Sequence, residues 1–209
     1  MLDRRVRAAA RPLLDYVGER LATRGVRANH VTFAGWTIGV AACVAAANRD
    51  WALALLLWLV NRLFDGLDGA LARQVGATHL GGYLDLVADF SIYAGFIAGV
   101  ALALPSTRLA GLFLLVTYYL SATALLAGSS LIDRLGVARE DERSLRFLGG
   151  LAEGLETTVA YVLITVLPAY AATIEWIFSL MVLITAGQRV LFTTDVLRTG
   201  SPSAPRHER

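Results

Sequence analysis

The chain contains one cysteine, three histidines and no lysine among its 209 residues. A single cysteine excludes an intrachain disulfide, and because Cys43 lies within an apolar run, we expect it to be a packing residue. The few, isolated histidines and the lone cysteine also exclude a zinc site of the usual composition. All 19 basic residues are arginines, and they lack the interleaved aromatic side chains of a stacking platform, so no nucleic-acid partner is expected.

Long apolar runs account for much of the chain, which is 56% hydrophobic and has a mean hydropathy of +0.57. A helix needs about 20 residues to cross the hydrocarbon core of a bilayer. The sequence therefore predicts an all-α, polytopic membrane protein with six transmembrane helices, at about 31–48, 51–72, 82–105, 109–132, 149–171 and 173–195. The predicted organisation is an interfacial amphipathic helix in 1–28, a six-helix transmembrane domain in 29–196 and a cytoplasmic tail in 197–209.

The distribution of arginine predicts how the chain is oriented. Six spans place both termini on one side, and 15 of the 19 arginines fall on that side. Only Arg49 and Arg108 lie on the other side, while Arg62 and Arg189 lie within spans. Because positive residues are enriched in cytoplasmic loops, we expect the termini and the 74–80 loop to face the cytoplasm.

The N-terminal segment has the pattern of an amphipathic helix and not of a signal peptide. It is rich in arginine and contains no compact apolar region with a cleavage site. One face carries Leu2, Val6, Ala9, Leu13, Val17 and Leu21, and the opposite face carries Arg4, Arg7, Arg11, Asp15 and Glu19. This pattern predicts a helix that lies on the inner leaflet, where its arginines meet anionic lipid.

Four carboxylates interrupt the second and third apolar runs. Asp65 and Asp68 lie about 60° apart on one helix, and Gly81, Asp85 and Asp89 form a stripe at i, i+4 and i+8 on the next. A short connection should make these helices antiparallel neighbours with facing stripes. Carboxylates within a membrane are costly and usually functional. We therefore expect the four acids to bind one or two hard divalent cations, Mg²⁺ or Mn²⁺ before Ca²⁺.

Two simpler explanations compete with a metal site. Acidic residues on a helix usually form a solvated face, but the flanking segments here are too apolar for that. Ion pairs such as Arg62 with Asp65, one turn apart, could neutralise one or two of the carboxylates but not all four. Small residues beside the acids leave room for a bulky anion, and Arg73 is placed to bind a diphosphate.

The pattern D-x-x-D-G-x-x-A-R followed by G-x-x-x-D-x-x-x-D resembles the signature of the CDP-alcohol phosphatidyltransferase family. Its eight fixed positions are filled by Asp65, Asp68, Gly69, Ala72, Arg73, Gly81, Asp85 and Asp89. In one departure, seven residues separate Arg73 from Gly81, where eight is commoner in the family. Residues 29–32 are also similar to the family's Asn-x-x-Thr motif, and the chain resembles small bacterial members, including phosphatidylglycerophosphate synthases.

The resemblance implies transfer of a phosphatidyl group from CDP-diacylglycerol, or another CDP-linked lipid, to an alcohol, with release of CMP. It implies a homodimer in the bacterial cytoplasmic membrane and two Mg²⁺ or Mn²⁺ ions held by Asp65, Asp68, Asp85 and Asp89. The implied catalytic base is Asp89. The CDP moiety would be bound by Asp68, Gly69, Ala72, Arg73, Gly81 and Asp85.

The acceptor alcohol is not specified by these motifs. Glycerol 3-phosphate is favoured as common among small bacterial members, with inositol, inositol phosphate, serine and phosphatidylglycerol as alternatives. Charged residues at membrane depth tend to pair or to bind ligand, so Arg62, Glu153, Glu156 and Arg189 are candidate acceptor-binding residues. A Glu156–Arg189 ion pair, or an Arg62–Asp65 pair, would explain the same residues structurally.

Two other classes of protein would also place acids within a membrane. A cation transporter builds its ion pathway from such residues, but here the acids cluster near one face without matching polar steps across the other half. Gly69, Ala72 and Arg73 would also go unexplained. A non-catalytic membrane protein would tolerate asparagine at all four acidic positions.

Overall fold

The computed structural model describes residues 2–135, 151–152 and 154–199, and this part of the chain is helical with no strand. Two single 3₁₀ turns, Pro105–Thr107 and Pro168–Tyr170, connect longer helices. The α-helices in the described residues are α1 (Leu2–Thr23), α2 (Ala28–Ala47), α3 (Trp51–Val75), α4 (His79–Ala103), α5 (Arg108–Leu135), α6 (Gly154–Val166) and α7 (Ala171–Thr199). The all-α prediction is confirmed.

The turn between α3 and α4 is short because its residues both end one helix and begin the next. Gly76 follows α3 with φ of 96°, a conformation that glycine adopts without strain. The Thr78 hydroxyl accepts a hydrogen bond from the Gly81 backbone N–H at 3.0 Å and caps α4. Only three residues therefore separate the two helices that carry the acids, fewer than the seven residues of 74–80 expected from the sequence.

The sequence predicted that the two helices that carry the acids, α3 and α4, pack directly on each other, but they do not. Instead, α2 packs closely against both α3 and α4, whose backbones approach each other at no more than isolated points. Side chains fill the space between them: the rings of Trp58 on α3 and Phe96 on α4 are 5.4 Å apart. Since the connection is short and the chain reverses, the helices are antiparallel, but α2 sets their separation.

Glycines allow α2 to make these close approaches. A Cβ atom at Gly35 would lie 2.8 Å from the Cβ of Phe64 on α3, and one at Gly39 would lie 2.8 Å from Ile92 on α4. On α4, a Cβ atom at Gly99 would lie 2.5 Å from the backbone oxygen of Cys43. Small residues spaced at i and i+4 are a common basis for close packing of membrane helices.

An aromatic cluster lies between this three-helix unit and the rest of the fold. Trp58 is fully buried, and its ring is 4.6 Å from that of Tyr161 on α6. The Tyr161 hydroxyl donates a hydrogen bond to the backbone oxygen of Tyr93 at 2.8 Å. Because α6 also contacts α7, and α7 packs along α5, the cluster joins the two halves of the structure.

Four helical segments are long and apolar enough to cross a membrane: Ala28–Ala47, His79–Ala103, Pro105–Arg134 and Pro168–Arg198. The chain is therefore an integral membrane protein by length and composition, but the predicted count of six spans is not confirmed. Helix α3 has the length of a span and carries Arg62, Asp65 and Asp68 within it. Helix α6 has 13 residues, fewer than a span requires.

Helix α1 packs against α3 near the acids. A Cβ atom at Gly18 would lie 3.3 Å from the backbone of Ala70, and one at Gly66 would lie 3.1 Å from Leu14. Leu13, on the predicted apolar face, has 66% of its surface exposed. One side of α1 therefore packs on α3, and Leu13 on the predicted apolar face is exposed. The position of α1 at a lipid interface stays a prediction.

The contact at Gly99 gives a test of this packing. Gly99→Ala should lower the free energy of unfolding by about 1–3 kcal/mol, because the new methyl group meets a backbone oxygen that cannot rotate away. The matched control is Gly187→Ala, also within a helix, where a Cβ would meet nothing within 4 Å. Thermal unfolding of both variants in detergent measures the difference. Equal melting temperatures would contradict the close α2–α4 packing.

Candidate active site

The four predicted acids line one small, partly open cavity. Asp65 and Asp68 lie in the second half of α3, and Asp85 and Asp89 lie in the first half of α4, so the antiparallel arrangement brings them to the same depth. Thr32, Gly35 and Trp36 of α2 complete the same wall, and the remaining lining residues are Asn61, Ala88 and Ile92. The structure therefore brings together all four carboxylates that the sequence singled out.

Three of the acids form a compact group. Asp65, Asp68 and Asp85 each offer a carboxylate oxygen, and these oxygens lie within 4.8 Å of one another. Asp68 is 6% exposed, so its carboxylate is removed from bulk water. Three such oxygens at this spacing are repulsive without a cation and fit a hard divalent ion. Within the described residues this donor set suits Mg²⁺ or Mn²⁺ and offers no sulfur or imidazole ligand.

The fourth acid, Asp89, is held by hydrogen bonds. Its Oδ1 accepts a hydrogen bond from Nη2 of Arg62 at 2.9 Å, and its Oδ2 accepts one from the Tyr93 hydroxyl at 3.3 Å. The ion pair expected from the sequence, Arg62 with Asp65, is present at a longer distance of 3.8 Å. Arg62 therefore pairs more closely with an acid 27 positions away than with the acid one turn away.

Arg73, the predicted diphosphate ligand, contacts the N-terminal helix. Its Nη2 donates a hydrogen bond to Oδ1 of Asp15 at 2.8 Å, and the side chain is about half exposed. This hydrogen bond is the main reason why the pKa of Asp15 lies below its ordinary value. Nη1 of Arg73 would lie 3.7 Å from a Cβ atom at Gly69, so the guanidinium lies beside the bare backbone of that glycine.

The other small signature residues lie at the same end of the two helices. Ala72 is half-buried on α3. Gly81 is in the first turn of α4, where a Cβ atom would lie 3.0 Å from the Thr78 hydroxyl oxygen and 3.2 Å from Oδ1 of Asn29. A larger residue at Gly81 would therefore push against both the cap of α4 and the start of α2.

The candidate acceptor-binding residues that the structure describes lie on three different helices. Arg62 lies beside the cavity, where it pairs with Asp89. Arg189 on α7 donates hydrogen bonds to the backbone oxygen and the hydroxyl of Ser121 on α5, at 3.1 and 2.7 Å. Glu156 is half-buried in the first turn of α6. Glu153 lies outside the described residues.

Sequence reasoning did not identify three residues that contact the site. Tyr93 follows Asp89 by four positions, so the helical period already placed it on the acidic stripe of α4. Asn61 precedes Arg62 and is 4% exposed; its Nδ2 donates to the backbone oxygen of Gly35 at 2.9 Å. Asp15 carried no local signal, because its contact with Arg73 depends on how α1 lies against α3.

Residues 26–187 match the family described as CDP-alcohol phosphatidyltransferase, which is more than half of the chain. The inner membrane protein YnjF of Escherichia coli K12 is 39% identical over 196 residues, covering 91% of this chain and 94% of YnjF. The archaetidylinositol phosphate synthase of Pyrococcus horikoshii is 32% identical over 144 residues, covering 66% of this chain and 76% of that protein.

Solved structures show the same fold. The phosphatidylinositol phosphate synthase PgsA1 of Mycobacterium tuberculosis, with CDP-DAG bound, superposes with a TM-score of 0.69 at 21% identity, covering 87% of this chain and 94% of that one. The same protein in complex with manganese and citrate gives a TM-score of 0.68, at 21% identity and with 87% and 88% coverage. The family match and the sequence relatives, together with the signature acids around one cavity, lead to one conclusion. The chain is a member of the CDP-alcohol phosphatidyltransferase family and an enzyme of that class.

Proposed function

We propose that this enzyme transfers a phosphatidyl group from CDP-diacylglycerol, or another CDP-linked lipid alcohol, to the hydroxyl of an alcohol, releasing CMP in phospholipid biosynthesis. The observation that carries this proposal is the convergence of all four signature acids on one cavity. The related Mycobacterium tuberculosis protein was solved with CDP-DAG bound, which supports the same class of donor.

The acids would hold two divalent ions, Mg²⁺ or Mn²⁺, with Asp65, Asp68 and Asp85 supplying the compact oxygen group and Asp89 the remaining ligand. The structure of the Mycobacterium tuberculosis protein with manganese supports this choice of metal. A bound ion supplies charge neutralisation at the diphosphate and favours CMP as a leaving group. The residues of this chain do the positioning: small residues admit the nucleotide, and Arg73 contacts its phosphates.

Asp89 is the proposed general base. It lies in the cavity wall beside the group of three acids, where an acceptor hydroxyl attacking phosphorus would need to lose its proton. The Tyr93 hydroxyl and Arg62 fix its carboxylate, so its orientation is defined before substrate arrives. Asp68, Gly69, Ala72, Arg73, Gly81 and Asp85 are the proposed CDP-binding residues.

The proposed acceptor is a phosphorylated polyol, either glycerol 3-phosphate or an inositol phosphate. The resemblance to small bacterial members favours glycerol 3-phosphate, whereas the names of two relatives, an archaetidylinositol phosphate synthase and a phosphatidylinositol phosphate synthase, favour an inositol phosphate. Arg189 and Glu156 stay candidates for acceptor binding. Inositol, serine and phosphatidylglycerol complete the set of alternatives.

Release of labelled CMP from CDP-diacylglycerol tests the reaction and the acceptor together. The purified enzyme with Mg²⁺ or Mn²⁺ should release CMP with one member of a panel containing all five alcohols, and Asp85→Asn should remove that activity. A protein that released no CMP with any acceptor, yet carried Mn²⁺ into proteoliposomes, would instead be a cation transporter.

We also propose the membrane arrangement that the sequence predicted: six spans in the bacterial inner membrane, with α3 and the 149–171 segment that contains α6 as the two spans beyond the four apolar helices. The active site would face the cytoplasm, α1 would lie at the lipid interface, and the enzyme would be a homodimer. The name of the Escherichia coli relative supports the membrane assignment. Reporter fusions at the C-terminus test the orientation, which requires that end to be cytoplasmic.

The bond between Asp15 and Arg73 gives a second test of the site. Asp15→Asn should raise the KM for CDP-diacylglycerol by about two- to fivefold with little change in kcat, because Arg73 loses the exposed ion pair that positions its guanidinium. The pKa of Asp15 is lowered, so the carboxylate is ionised and the pair is intact at neutral pH, and the pair is lost only in acid. Kinetics as a function of donor concentration measure the effect.

The matched control is Glu19→Gln, which removes the same charge from an exposed position one turn further along α1. It should leave KM unchanged. In an Arg73→Ala background, Asp15→Asn should have no further effect on KM. A full effect in that background would show that Asp15 acts through some other residue.

A further inference from the structure

Arg62 is a nearly buried cation that contacts the acidic cavity through Asp89. Its side chain is 11% exposed, and its guanidinium carbon lies 4.8 Å from the centre of the Trp58 ring and 5.0 Å from that of Tyr93. Its hydrogen bonds go to the Asn61 amide oxygen from Nε and Nη2, at 3.0 and 2.6 Å, to the Tyr93 hydroxyl at 2.7 Å and to Asp89 at 2.9 Å. These contacts use four of its five N–H donors and hold it between two aromatic rings.

This saturation argues against a role in binding the acceptor. A phosphate group is usually bound by two parallel N–H donors of a guanidinium. In Arg62 those donors are already directed at Asn61, Tyr93 and Asp89. Recognition of an acceptor phosphate would require breaking hydrogen bonds inside a nearly buried cluster. The structure therefore favours a role for Arg62 within the acidic site itself.

Arg62 divides the four acids into two unequal sets. Asp65, Asp68 and Asp85 offer oxygens that lie within 4.8 Å of one another. Asp89 lines the same cavity but is paired with the guanidinium at 2.9 Å. Arg62 is also 3.8 Å from Oδ2 of Asp65, a distance beyond that of a hydrogen bond, so its closer pairing is with Asp89. A divalent ion can therefore bind the set of three against a weaker competing charge, whereas an ion that uses Asp89 must approach a carboxylate already paired with the guanidinium.

The formal charges of the cluster lead to the same division. Four carboxylates and one guanidinium carry a formal charge of −3, and one divalent ion changes this to −1. A second divalent ion would make the cluster positive unless an anion arrived with it. Two divalent ions held by neighbouring carboxylates in a partly buried site repel each other strongly. The diphosphate of a CDP-linked substrate is an anion of the required kind.

We propose that Arg62 makes loading of the two metal positions sequential. The set Asp65, Asp68 and Asp85 takes one divalent ion in the absence of substrate, and the position that includes Asp89 is filled only together with a nucleoside diphosphate. This inference rests on the proposed function for the identity of that diphosphate. The pairing of Arg62 with Asp89 is observed independently of the proposed function.

Manganese stoichiometry without turnover tests the proposal. The purified full chain, titrated with Mn²⁺ in a calorimeter, should bind one ion per chain, and in the presence of CDP it should bind two. Arg62→Gln should bind the second Mn²⁺ without CDP, with a Kd for that ion at least tenfold lower than in the wild-type protein without CDP. Arg62→Lys keeps the positive charge and should bind one ion, as the wild type does. Arg198→Gln, an arginine variant at an exposed position in the last turn of α7, is the control and should bind one ion without CDP.

Each other outcome has a definite meaning. Two ions of similar affinity on the wild-type protein without CDP, or a single ion on Arg62→Gln, would overturn the proposal. If Arg62→Gln does not fold, the wild-type titrations with and without CDP together with Arg62→Lys still decide it. Failure of the wild-type protein to release CMP from CDP-diacylglycerol, with the one-then-two stoichiometry preserved, would overturn the proposed function alone.

Discussion

Replacing Asp89 with asparagine is expected to reduce the rate of CMP formation by about 10²- to 10⁴-fold, the usual contribution of a general base. Asparagine keeps the shape of the side chain and can still accept a hydrogen bond from Arg62, but it cannot take the proton of an attacking hydroxyl. Binding of the first Mn²⁺ should change little, because the three remaining acids form their own group. Labelled CMP release and Mn²⁺ titration measure the two properties separately.

A control is needed because Asp89→Asn leaves the buried guanidinium of Arg62 without its counter-charge. Removal of one partner from a buried pair is often strongly destabilising. The double variant Arg62→Gln/Asp89→Asn removes both charges and should recover thermal stability without recovering CMP release. Wild-type turnover in either variant would show that Asp89 is not the base.

Replacing Asp68 with asparagine should have the other large effect. Asp68 is among the buried polar residues and belongs to the group of three acids, so its carboxylate is shielded from water and close to the other ligands. Loss of its charge should weaken Mn²⁺ and CDP binding together and reduce CMP release by about 10³-fold or more, since a bound metal supplies several kcal/mol of charge stabilisation. Calorimetry with Mn²⁺, then with CDP, measures both affinities.

Asp68→Asn and Asp89→Asn should differ in their effects on Mn²⁺ binding. Asp68→Asn should lose binding and turnover, and high Mn²⁺ concentrations should restore part of the rate, whereas Asp89→Asn should lose turnover and keep the affinity for the first Mn²⁺. Asp133→Asn, at an exposed position near the end of α5, removes an acid outside the cavity and should change neither property. An unchanged Mn²⁺ affinity in Asp68→Asn would exclude Asp68 from the metal ligands.

Local spacing was enough to predict which acids meet. The separations Asp65 to Asp68 and Asp85 to Asp89 are one helical turn each, so the sequence alone places each pair on one face. The glycine and threonine of the three-residue turn also agree with the reversal between α3 and α4. These features depend on residues close together in sequence, where helical geometry is a reliable guide.

Contacts between distant segments could not be predicted in the same way. The one-turn rule favoured Arg62 with Asp65, but the closer partner is Asp89 on another helix, and only the relative position of α3 and α4 decides this. The packing of α2 against both α3 and α4 was also not predicted. Its signal is present in the sequence as Gly35 with Gly39 and Gly95 with Gly99, two pairs of glycines spaced by four.

The packing of α2 against both α3 and α4 affects which ions the site accepts. The distance between the acids of α3 and those of α4 depends on the thickness of a helix that contributes none of the four acids. Gly35 contacts α3 and Gly39 contacts α4 without side chains, so the backbone of α2 limits how near the two acidic helices can come. Discrimination between cations of different ionic radius is therefore a property of three helices, and a substitution in α2 can alter it while every ligand is retained.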